Sequence, residues 1–371
     1  MSPSQFQIQT IEYHIDTELE HESPLTLSEK HLAELITLCQ DRGISIEGDK
    51  PTLIKALLDW KLNTRPVPAP STPKLFSIDG SSGLKQDKIC SLSSVFLDND
   101  ASEIKYEDLK IGRKIGSGGF KDCYEGKYKE QSVAIGELRV VNFSESDLKE
   151  TKHEINVLKQ LRHENIIQFI GISTNTKQLF IITEFCENGD LFDYMRKVPR
   201  PPFTQQIMFM HDIALGITYL HTRRPSIIHR DLKSMNILIS SNLRAKINDF
   251  GLARIRPKAN ASMHTQCGTP NWQAPEFWTP NPSYTEKVDV YAAALIFWEI
   301  LTWGEAGYPY HNYNEHQLYE AVRDRNVRPS LIELKNYPTT LLLLIQDMWQ
   351  KLPSARPSMA QVVESLVQYL N

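Results

Sequence analysis

Three short motifs constrain this sequence more than any other feature. Residues 229–236 have the sequence His-Arg-Asp-Leu-Lys-Ser-Met-Asn, residues 249–251 are Asp-Phe-Gly, and residues 274–276 are Ala-Pro-Glu. A single one of these could occur by chance on a structural loop. All three in this order and at this spacing indicate one folded domain in which the three segments act together.

On these motifs, the region from about Tyr106 to the C-terminus resembles the eukaryotic protein kinase superfamily. The resemblance implies an α+β, bilobal protein kinase fold over residues 105–371. Its N-lobe, residues 105–185, is expected to be rich in β-strands with one αC helix. Its C-lobe, residues 186–371, is expected to be mostly helical.

The resemblance also implies roles in ATP-dependent phosphoryl transfer, a reaction that needs positioning and charge neutralisation more than covalent help. Asp231 would accept the proton of the substrate hydroxyl, and Lys233 would lie near the transferred phosphate. Asn236 and Asp249 would hold Mg²⁺ between phosphate oxygens, because this hard cation prefers oxygen ligands. Arg230 offers a planar fork for a phosphate on the activation loop.

The nucleotide would lie under a glycine-rich hairpin, where backbone N–H groups can approach phosphates closely. Glu154 matches the αC glutamate that pairs with the phosphate-anchoring lysine, in register with Leu158 and Phe169 of the family's spine of packed residues. Thr183 matches the gatekeeper before the hinge. The resemblance implies a nucleotide site lined by Ile115, Gly116, Ser117, Gly118, Gly119, Cys123, Ala134, Thr183, Glu184, Cys186 and Leu238.

The third strand departs from the kinase pattern. Where Val-Ala-Ile-Lys is expected, residues 133–136 are Val-Ala-Ile-Gly, and Gly136 cannot supply the charge of the lysine. The third glycine of the hairpin is also replaced, by Lys121. This paired exchange resembles the with-no-lysine kinases, in which a lysine of the glycine loop anchors the phosphates. Two functions stay open: a kinase in which Lys121 replaces the missing lysine, or a pseudokinase scaffold that binds partners, with or without nucleotide, and does not catalyse.

The substrate class follows from the same resemblance. A lysine two residues after Asp231 resembles serine/threonine kinases, and residues 268–276, Gly-Thr-Pro-Asn-Trp-Gln-Ala-Pro-Glu, resemble their tyrosine-kinase-like branch. The expected substrates are therefore serine and threonine of proteins. Thr269 is expected to contact both Asp231 and Lys233.

Two further features concern regulation and support of the C-lobe. Ser262 and Thr265 lie between the Asp-Phe-Gly and Ala-Pro-Glu motifs. They are candidate phosphorylation sites facing Arg230, or unmodified loop residues. Glu276 is expected to pair with Arg356, as in the family.

The region before the kinase-like domain divides into three parts. Residues 1–24 are expected to form a disordered tail, and residues 63–104 a linker rich in proline and serine. Residues 25–62 resemble a SAP motif, a small all-α helix–loop–helix module. SAP motifs often bind DNA, but this segment has five basic and six acidic side chains, a net charge of −1. The poor charge favours a docking module over weak DNA binding, because phosphate neutralisation dominates nonspecific DNA affinity.

Composition fits this interpretation. The 371 residues have a net charge of −4, and the five cysteines are scattered without a Cys-x-x-Cys pair, which argues against disulfides and zinc. No apolar stretch approaches the span of about 20 residues that a membrane requires. We therefore expect a soluble, intracellular and cytoplasmic protein without a membrane partner, and leave a nuclear location open.

Overall fold

The computed structural model describes residues 27, 35, 38–39, 50–64, 103–117, 121–138, 145–175, 178–250, 254–256, 269–279 and 282–370. The chain divides into two compact units, Met1–Ala69 and Pro70–Asn371. The predicted tail, residues 1–24, and nearly all of the predicted linker, residues 63–104, lie outside the described residues.

The N-terminal unit has a small apolar core. Its helix α1, Lys50–Thr64, carries Pro51 in the first turn, where a missing N–H is tolerated. The residues almost fully buried against one another are Leu27, Leu35, Cys39, Leu53 and Leu57. The helical pattern predicted for residues 25–62 is thus present at the described positions, and the resemblance to a SAP motif stays a prediction.

The N-lobe is a five-stranded antiparallel sheet with strand order β1-β2-β3-β5-β4. Its strands are β1 Leu109–Ser117, β2 Lys121–Tyr128, β3 Gln131–Leu138, β4 Phe169–Asn175 and β5 Gln178–Glu184. Strands β2 and β3 are joined by Lys129 and Glu130, with φ of 48° and 63°. Two consecutive positive φ angles are typical of the tight hairpin turn that matches the twist of its strands. This turn sets the register that aligns β2 with β3.

The α-helix of the described part of the N-lobe is α2, Glu145–Gln160. Its residues Ile155 and Leu158 are buried in the same apolar cluster as Ile172 of β4 and Ile181 of β5. The helix is therefore attached to the sheet through its apolar side.

The C-lobe is mostly helical. Its helices are α3 Leu191–Lys197, α4 Phe203–Thr222, α5 Lys287–Thr302, α6 Glu315–Tyr319, α7 Thr339–Met348 and α8 Met359–Val367. Every residue of α5 from 288 to 302 is buried, as expected for a helix that is apolar on nearly all sides. Helix α4 packs against α5 and α8. Helix α5 is thus the central support of this lobe.

Two pairs of short strands place the motifs. Strand β6, Ser226–Ile228, pairs with β9, Arg254–Arg256, and β7, Ile237–Ile239, pairs with β8, Ala245–Ile247. The segment 229–236 connects β6 to β7, and the Asp-Phe-Gly motif connects β8 to β9, so both motifs lie at the same end of these strands. The expected α+β bilobal kinase fold is confirmed. No helix in the described part of the chain is long and apolar enough to cross a membrane.

Candidate active site

A buried carboxylate on α5 shapes the loop that carries the first motif. Asp289 accepts the backbone N–H groups of His229 and Arg230, each at 2.9 Å, and His221 Nε2 lies 2.9 Å from its Oδ2. Burial alone would raise the pKa of Asp289, but the hydrogen bonds and nearby histidines outweigh it and leave the pKa below its usual value. These contacts hold Arg230 at φ 69°, a left-handed conformation that few residues other than glycine adopt.

Asp231 is the centre of a buried polar cluster. Thr269 donates to its Oδ1 through both the backbone N–H and the hydroxyl, each at 2.9 Å. Asn236 donates its amide to Asp231 Oδ2 at 3.2 Å and to the backbone carbonyl at 2.8 Å. Lys233 Nζ lies 3.2 Å from Asp231 Oδ2 and donates to the Thr269 hydroxyl at 2.8 Å. The structure therefore brings Asp231, Lys233 and Asn236 together, and the predicted contacts of Thr269 are confirmed.

The Asp-Phe-Gly segment is connected to this cluster through its backbone. The N–H of Asn248 donates to the carbonyl of Asn236 at 2.9 Å, which places Asp249 beside Asn236 in the chain trace. Asp249 has φ 62° and an exposed side chain. Phe250 is fully buried and packs edge-on against His229 with ring centroids 5.0 Å apart. Burying Phe250 turns the neighbouring Asp249 carboxylate toward solvent.

The predicted spine residues occupy one core. Leu158 and Phe169 belong to the same buried apolar cluster as Phe250. They are 4 % and 3 % exposed. Glu154 lies on the same helix as Leu158, but its side chain is outside the described residues.

The side chain of Lys121 occupies the space left by Gly136. Strand β2 pairs with β3 so that Cys123 is opposite Gly136 and Lys121 is opposite Leu138. A Cβ atom added to Gly136 would lie 2.7 Å from Lys121 Cε and 3.2 Å from Cδ. Ordinary carbon contacts are about 3.5–4.0 Å, so a side chain at position 136 and the present conformation of Lys121 exclude each other. The lysine stem thus lies over the strand position that lacks its expected lysine.

The charge of Lys121 also affects the pKa of the Cys123 thiol. Burial raises the pKa of Cys123, and the charge of Lys121 acts in the opposite direction. Because side chains at i and i+2 of a strand lie on one face, Lys121 and Cys123 point to the same side of β2.

On the opposite face of β2, the side chains of Lys114, Ser117 and Asp122 form a polar clasp between the end of β1 and the start of β2. Ser117 and Asp122 are register partners in β1 and β2, and the Ser117 hydroxyl donates to Asp122 Oδ1 at 2.6 Å. Lys114 Nζ lies 2.8 Å from the same oxygen, and Asp122 is 7 % exposed. The clasp holds the first residues of β2, and therefore the backbone of Lys121, against β1. Gly118 and Gly119 of the hairpin lie outside the described residues.

The predicted hinge follows β5. Ala134 and Thr183 are direct partners across β3 and β5. The Glu184 carboxylate accepts the N–H of Gln168 at 2.7 Å and lies 3.0 Å from Lys246 Nζ. The backbone N–H of Glu184 also donates to the carbonyl of Gln168, at 2.9 Å. The binding of adenine by the hinge backbone, which the resemblance implies, stays a prediction. Cys186 is buried, which raises the pKa of its thiol to about 12.

The remaining predicted lining residues have ordinary positions. Ile115 is 43 % exposed and, with Gly116, lies in β1 before the glycines. Leu238 is half-buried in β7 against the main core.

Arg230 is buried and donates to the Tyr284 hydroxyl at 2.7 Å. Its predicted phosphate partners Ser262 and Thr265 lie outside the described residues.

The expected ion pair below the Ala-Pro-Glu motif is confirmed. Two nitrogens of the Arg356 guanidinium donate hydrogen bonds to the two carboxylate oxygens of Glu276, at 2.6 and 2.8 Å. Arg356 is only 2 % exposed, and the two-point geometry is the strong form of this interaction.

Three acidic residues that matter for the site were missed by the sequence analysis: Asp122, Asp289 and Glu299. Glu299 is buried in α5 and accepts hydrogen bonds from Ser234 and Trp272. A signal was available for two of them, because an acid inside an otherwise apolar helix is rarely left without hydrogen-bond donors. Asp122 gave no such signal, since its partners depend on strand register.

A five-stranded sheet with helix α2, followed by a helical lobe that assembles Asp231, Lys233 and Asn236 beside the segment of Asp249 and Phe250, defines a protein kinase domain. The sequence model of the family described as "Protein tyrosine and serine/threonine kinase" matches residues 109–366. The chain belongs to this family.

Similar proteins carry serine/threonine kinase names. Over 268 residues, 72 % of this chain and 40 % of the relative, it is 37 % identical to the "Probable serine/threonine-protein kinase drkA" of Dictyostelium discoideum. It is 35 % identical over 269 residues to "Serine/threonine-protein kinase STY46" of Arabidopsis thaliana, covering 72 % of this chain and 45 % of that one. It is 34 % identical over 273 residues to Arabidopsis "Serine/threonine-protein kinase CTR1", covering 73 % and 32 %. This chain thus spans less than half the length of these relatives.

Proposed function

We propose that this protein phosphorylates serine and threonine residues of proteins with ATP and Mg²⁺, and that Lys121 replaces the missing lysine of strand β3. The single observation that carries the proposal is the position of the Lys121 stem, 2.7 Å from where a Cβ of residue 136 would be. The names of the relatives support the serine/threonine class.

The position of Lys121 relative to β3 supports its role as the phosphate anchor. In the family, a lysine at position 136 would project from β3 toward the nucleotide phosphates. Here the side-chain stem of Lys121 lies over position 136 from the adjacent strand, and only a residue without a side chain at 136 leaves room for it. A positive charge aimed at the phosphates contributes most when it is held in place before the reaction. The clasp at Asp122 supplies that restraint to the backbone of Lys121.

The groups that act on the substrate hydroxyl lie in the C-lobe. Asp231 accepts the hydroxyl proton, and the two hydrogen bonds from Thr269 to its Oδ1 hold the carboxylate in place. Lys233, 3.2 Å from Asp231 Oδ2, supplies positive charge at the point where charge develops on the transferred phosphoryl group. The backbone of this loop is held by Asp289 and does not need to reorganise.

Asn236 and Asp249 fit a divalent cation. Because the nitrogen of the Asn236 amide donates to Asp231, its carbonyl oxygen faces the other side of the amide group. The Asp249 carboxylate is exposed next to the same loop. Two oxygen ligands of this kind, completed by phosphate oxygens and water, suit Mg²⁺. When bound, Mg²⁺ neutralises charge on the phosphates.

The alternative is a pseudokinase scaffold, for which the missing lysine at position 136 is the argument. Against it, Asp231, Lys233 and Asn236 are assembled with the hydrogen bonds that their catalytic roles require. A scaffold has no need to maintain this polar cluster, whose burial is costly unless every group is paired.

Transfer of labelled phosphate from ATP to a library of serine- and threonine-containing peptides tests the proposal with the purified chain. We expect turnover, and we expect Lys121→Met to lower kcat/KM by about 10²–10³ because one preorganised charge is removed. Asp231→Asn should abolish turnover while leaving nucleotide binding in place. Lys127→Met, an exposed lysine on the same strand, is the matched control and should be unchanged.

The outcomes separate the two functions. No turnover by the unaltered protein in ATP and Mg²⁺ supports the scaffold. Turnover that survives Lys121→Met leaves the kinase proposal intact but removes Lys121 as the anchor.

For the N-terminal unit we propose docking to a protein partner. The net charge of −1 over residues 25–62 is the observation that favours docking over DNA binding. Binding of the full chain to duplex DNA with a steep dependence on salt would contradict this proposal.

A further inference from the structure

A row of polar side chains crosses the N-lobe sheet directly behind Lys121. On one face of the sheet, the Lys121 stem lies over Gly136. The next residues of the two strands, Asp122 of β2 and Glu137 of β3, are register partners and therefore project together from the opposite face. The exchange between Lys121 and Gly136 is thus backed, on the other side of the sheet, by a pair of carboxylates.

Glu137 connects β3 to both of its neighbouring strands. Its carboxylate accepts a hydrogen bond from the side-chain amide of Gln178, at the start of β5. From the other side, Tyr124 of β2 donates its hydroxyl to Glu137, and burial and this hydrogen bond raise the pKa of the hydroxyl. Tyr124 follows Asp122 by two residues and lies on the same face, where its ring packs against an apolar cluster of the sheet.

Together with the clasp, these contacts form a belt over four strands. Two carboxylates directly opposite each other are unfavourable in a sheet, and an apolar pair would avoid that cost. The cost argues for a role beyond packing, because each carboxylate binds donors from a different strand. We call this network the outer belt, and its members are Lys114, Ser117, Asp122, Tyr124, Glu137 and Gln178.

The backbone supports the two anchor positions unequally. Gly136 lies inside the sheet, with Cys123 as its partner in β2 and Ile181 as its partner in β5. Lys121 and Leu138 form the last described pair at their end of the β2–β3 ladder. The ends of such elements open more readily than their interiors. A lysine at the start of β2 therefore needs a restraint that a lysine at position 136 does not need.

We propose that Asp122, Tyr124 and Glu137 are positioning residues, which hold Lys121 over position 136 by fixing the start of β2 to both neighbouring strands. The proposal rests on the proposed role of Lys121 as the phosphate anchor. Cutting the outer belt should reduce the contact of the Lys121 amine with the nucleotide phosphates and leave the contact of the C-lobe lysine, Lys233, unchanged. A general loss of folding or of nucleotide affinity would instead affect both lysines.

Acylation of lysine by a nucleotide derivative measures these contacts without turnover. The probe is ATP with an acyl group on its terminal phosphate, and a lysine amine close to that phosphate attacks the acyl carbon. An amide forms, the acyl–phosphate bond breaks, and ATP and a proton are released. The ratio of acylated Lys121 to acylated Lys233, measured in the full chain by peptide mass spectrometry, cancels any change in overall nucleotide affinity.

Two variants cut the outer belt, and a third is the matched control. Asp122→Ala removes the clasp and should lower the Lys121 to Lys233 ratio by about 10²-fold, the cost of displacing a reacting group by about 1 Å. Tyr124→Phe keeps the ring, removes one hydrogen bond to a carboxylate and should lower the ratio by about 10-fold. Tyr128→Phe should leave the ratio unchanged, because Tyr128 is a second tyrosine of β2 that packs against the same apolar cluster. Thermal unfolding checks that each variant is folded.

Moving the amine back to β3 gives a second test. In the exchange variant, Lys121→Gly with Gly136→Lys, the amine starts from inside the ladder. Tyr124→Phe should there raise the dissociation constant for ATP by less than about 2-fold, against about 10-fold in the unaltered chain, as measured by calorimetry.

The outcomes separate the outer belt from the anchor. Equal losses of ATP affinity in the two backgrounds, or an unchanged labelling ratio in both Asp122→Ala and Tyr124→Phe, would overturn the positioning role. The labelling ratio decides alone if the exchange variant binds no ATP. Absence of acylation at Lys121 in the unaltered protein would remove the proposed anchor, and the positioning role with it.

Discussion

The smallest change that tests the position of Lys121 is the addition of one methyl group, in Gly136→Ala. The new Cβ would lie 2.7 Å from Lys121 Cε and 3.2 Å from Cδ, and 3.6 Å from the carbonyl of Ile181. The backbone contact is ordinary, so the strain falls on the lysine side chain. To restore carbon contacts of about 3.5–4.0 Å, the lysine stem must move by roughly 1 Å.

This displacement sets the expected effect. Moving a reacting or charge-stabilising group by about 1 Å can cost about 10²-fold in rate. Complete loss of the charge, as in Lys121→Met, costs about 10²–10³-fold and is the upper limit. We therefore expect Gly136→Ala to lower kcat/KM by about 10²-fold or less. Folding should be little affected, because replacing glycine in a compatible strand conformation changes stability by less than about 1 kcal/mol.

Phosphate transfer to peptide, nucleotide affinity by calorimetry and thermal unfolding measure the three expectations. Ser132→Ala, at an exposed position of the same strand, is the control and should behave as the unaltered protein. Gly136→Lys alone should be impaired because it brings the same clash, whereas Lys121→Gly combined with Gly136→Lys should recover part of the activity. Wild-type kcat/KM in Gly136→Ala, in a protein that still loses activity with Lys121→Met, would refute the claim that the lysine needs this space.

Other predictions concern stability and thiol chemistry. Arg356→Leu leaves the carboxylate of Glu276 unpaired and should destabilise the domain by about 3–5 kcal/mol, measured by urea unfolding. The pKa of Asp289 is lower in the folded protein than in the unfolded chain. The ionised carboxylate therefore stabilises the fold at pH values above the unfolded-state pKa, and this stabilisation is lost as the pH falls through the folded-state pKa. Asp289→Asn should therefore flatten the acid side of the stability profile, and an unchanged slope would contradict the assignment. Lys121→Met should slow the alkylation of Cys123 by iodoacetamide, because the charge of Lys121 now acts to lower the pKa of the thiol. The rate is measured by peptide mass spectrometry. An unchanged rate would show that the charge of Lys121 does not act on the thiol of Cys123.

Much of the fold and part of the site could be predicted because kinase motifs are contiguous in sequence. The loop from 229 to 236 holds three of the proposed catalytic groups, so its residue types alone indicate their chemistry. The exchange between Lys121 and Gly136 was also visible, since a missing charge and a new one occur on neighbouring strands. The structure adds the physical reason, a shared volume that only one side chain can fill.

What escaped prediction depends on contacts between distant segments. Asp289 and Glu299 support loops that come much earlier in the chain, and no local spacing links an acid of α5 to the N–H of Arg230 or to the Ser234 hydroxyl. Asp122 acts through its register with Ser117, which is set by the irregular pairing of β1 with β2. In each case the partner is chosen by tertiary packing and not by sequence spacing.

The separate supports of the two lobes have a consequence for how such a domain can change. Helix α5 of the C-lobe carries both Asp289 and Glu299, about three turns apart. It therefore positions the half of the site that is proposed to activate the hydroxyl. The half that would grip phosphate is built on a different framework, the sheet of the N-lobe. A positive charge can therefore migrate from one strand to its neighbour while the machinery for proton removal stays as it was. Under the proposed role of Lys121, the sheet alone accommodates the loss of the β3 lysine, and the C-lobe half of the site needs no matching change.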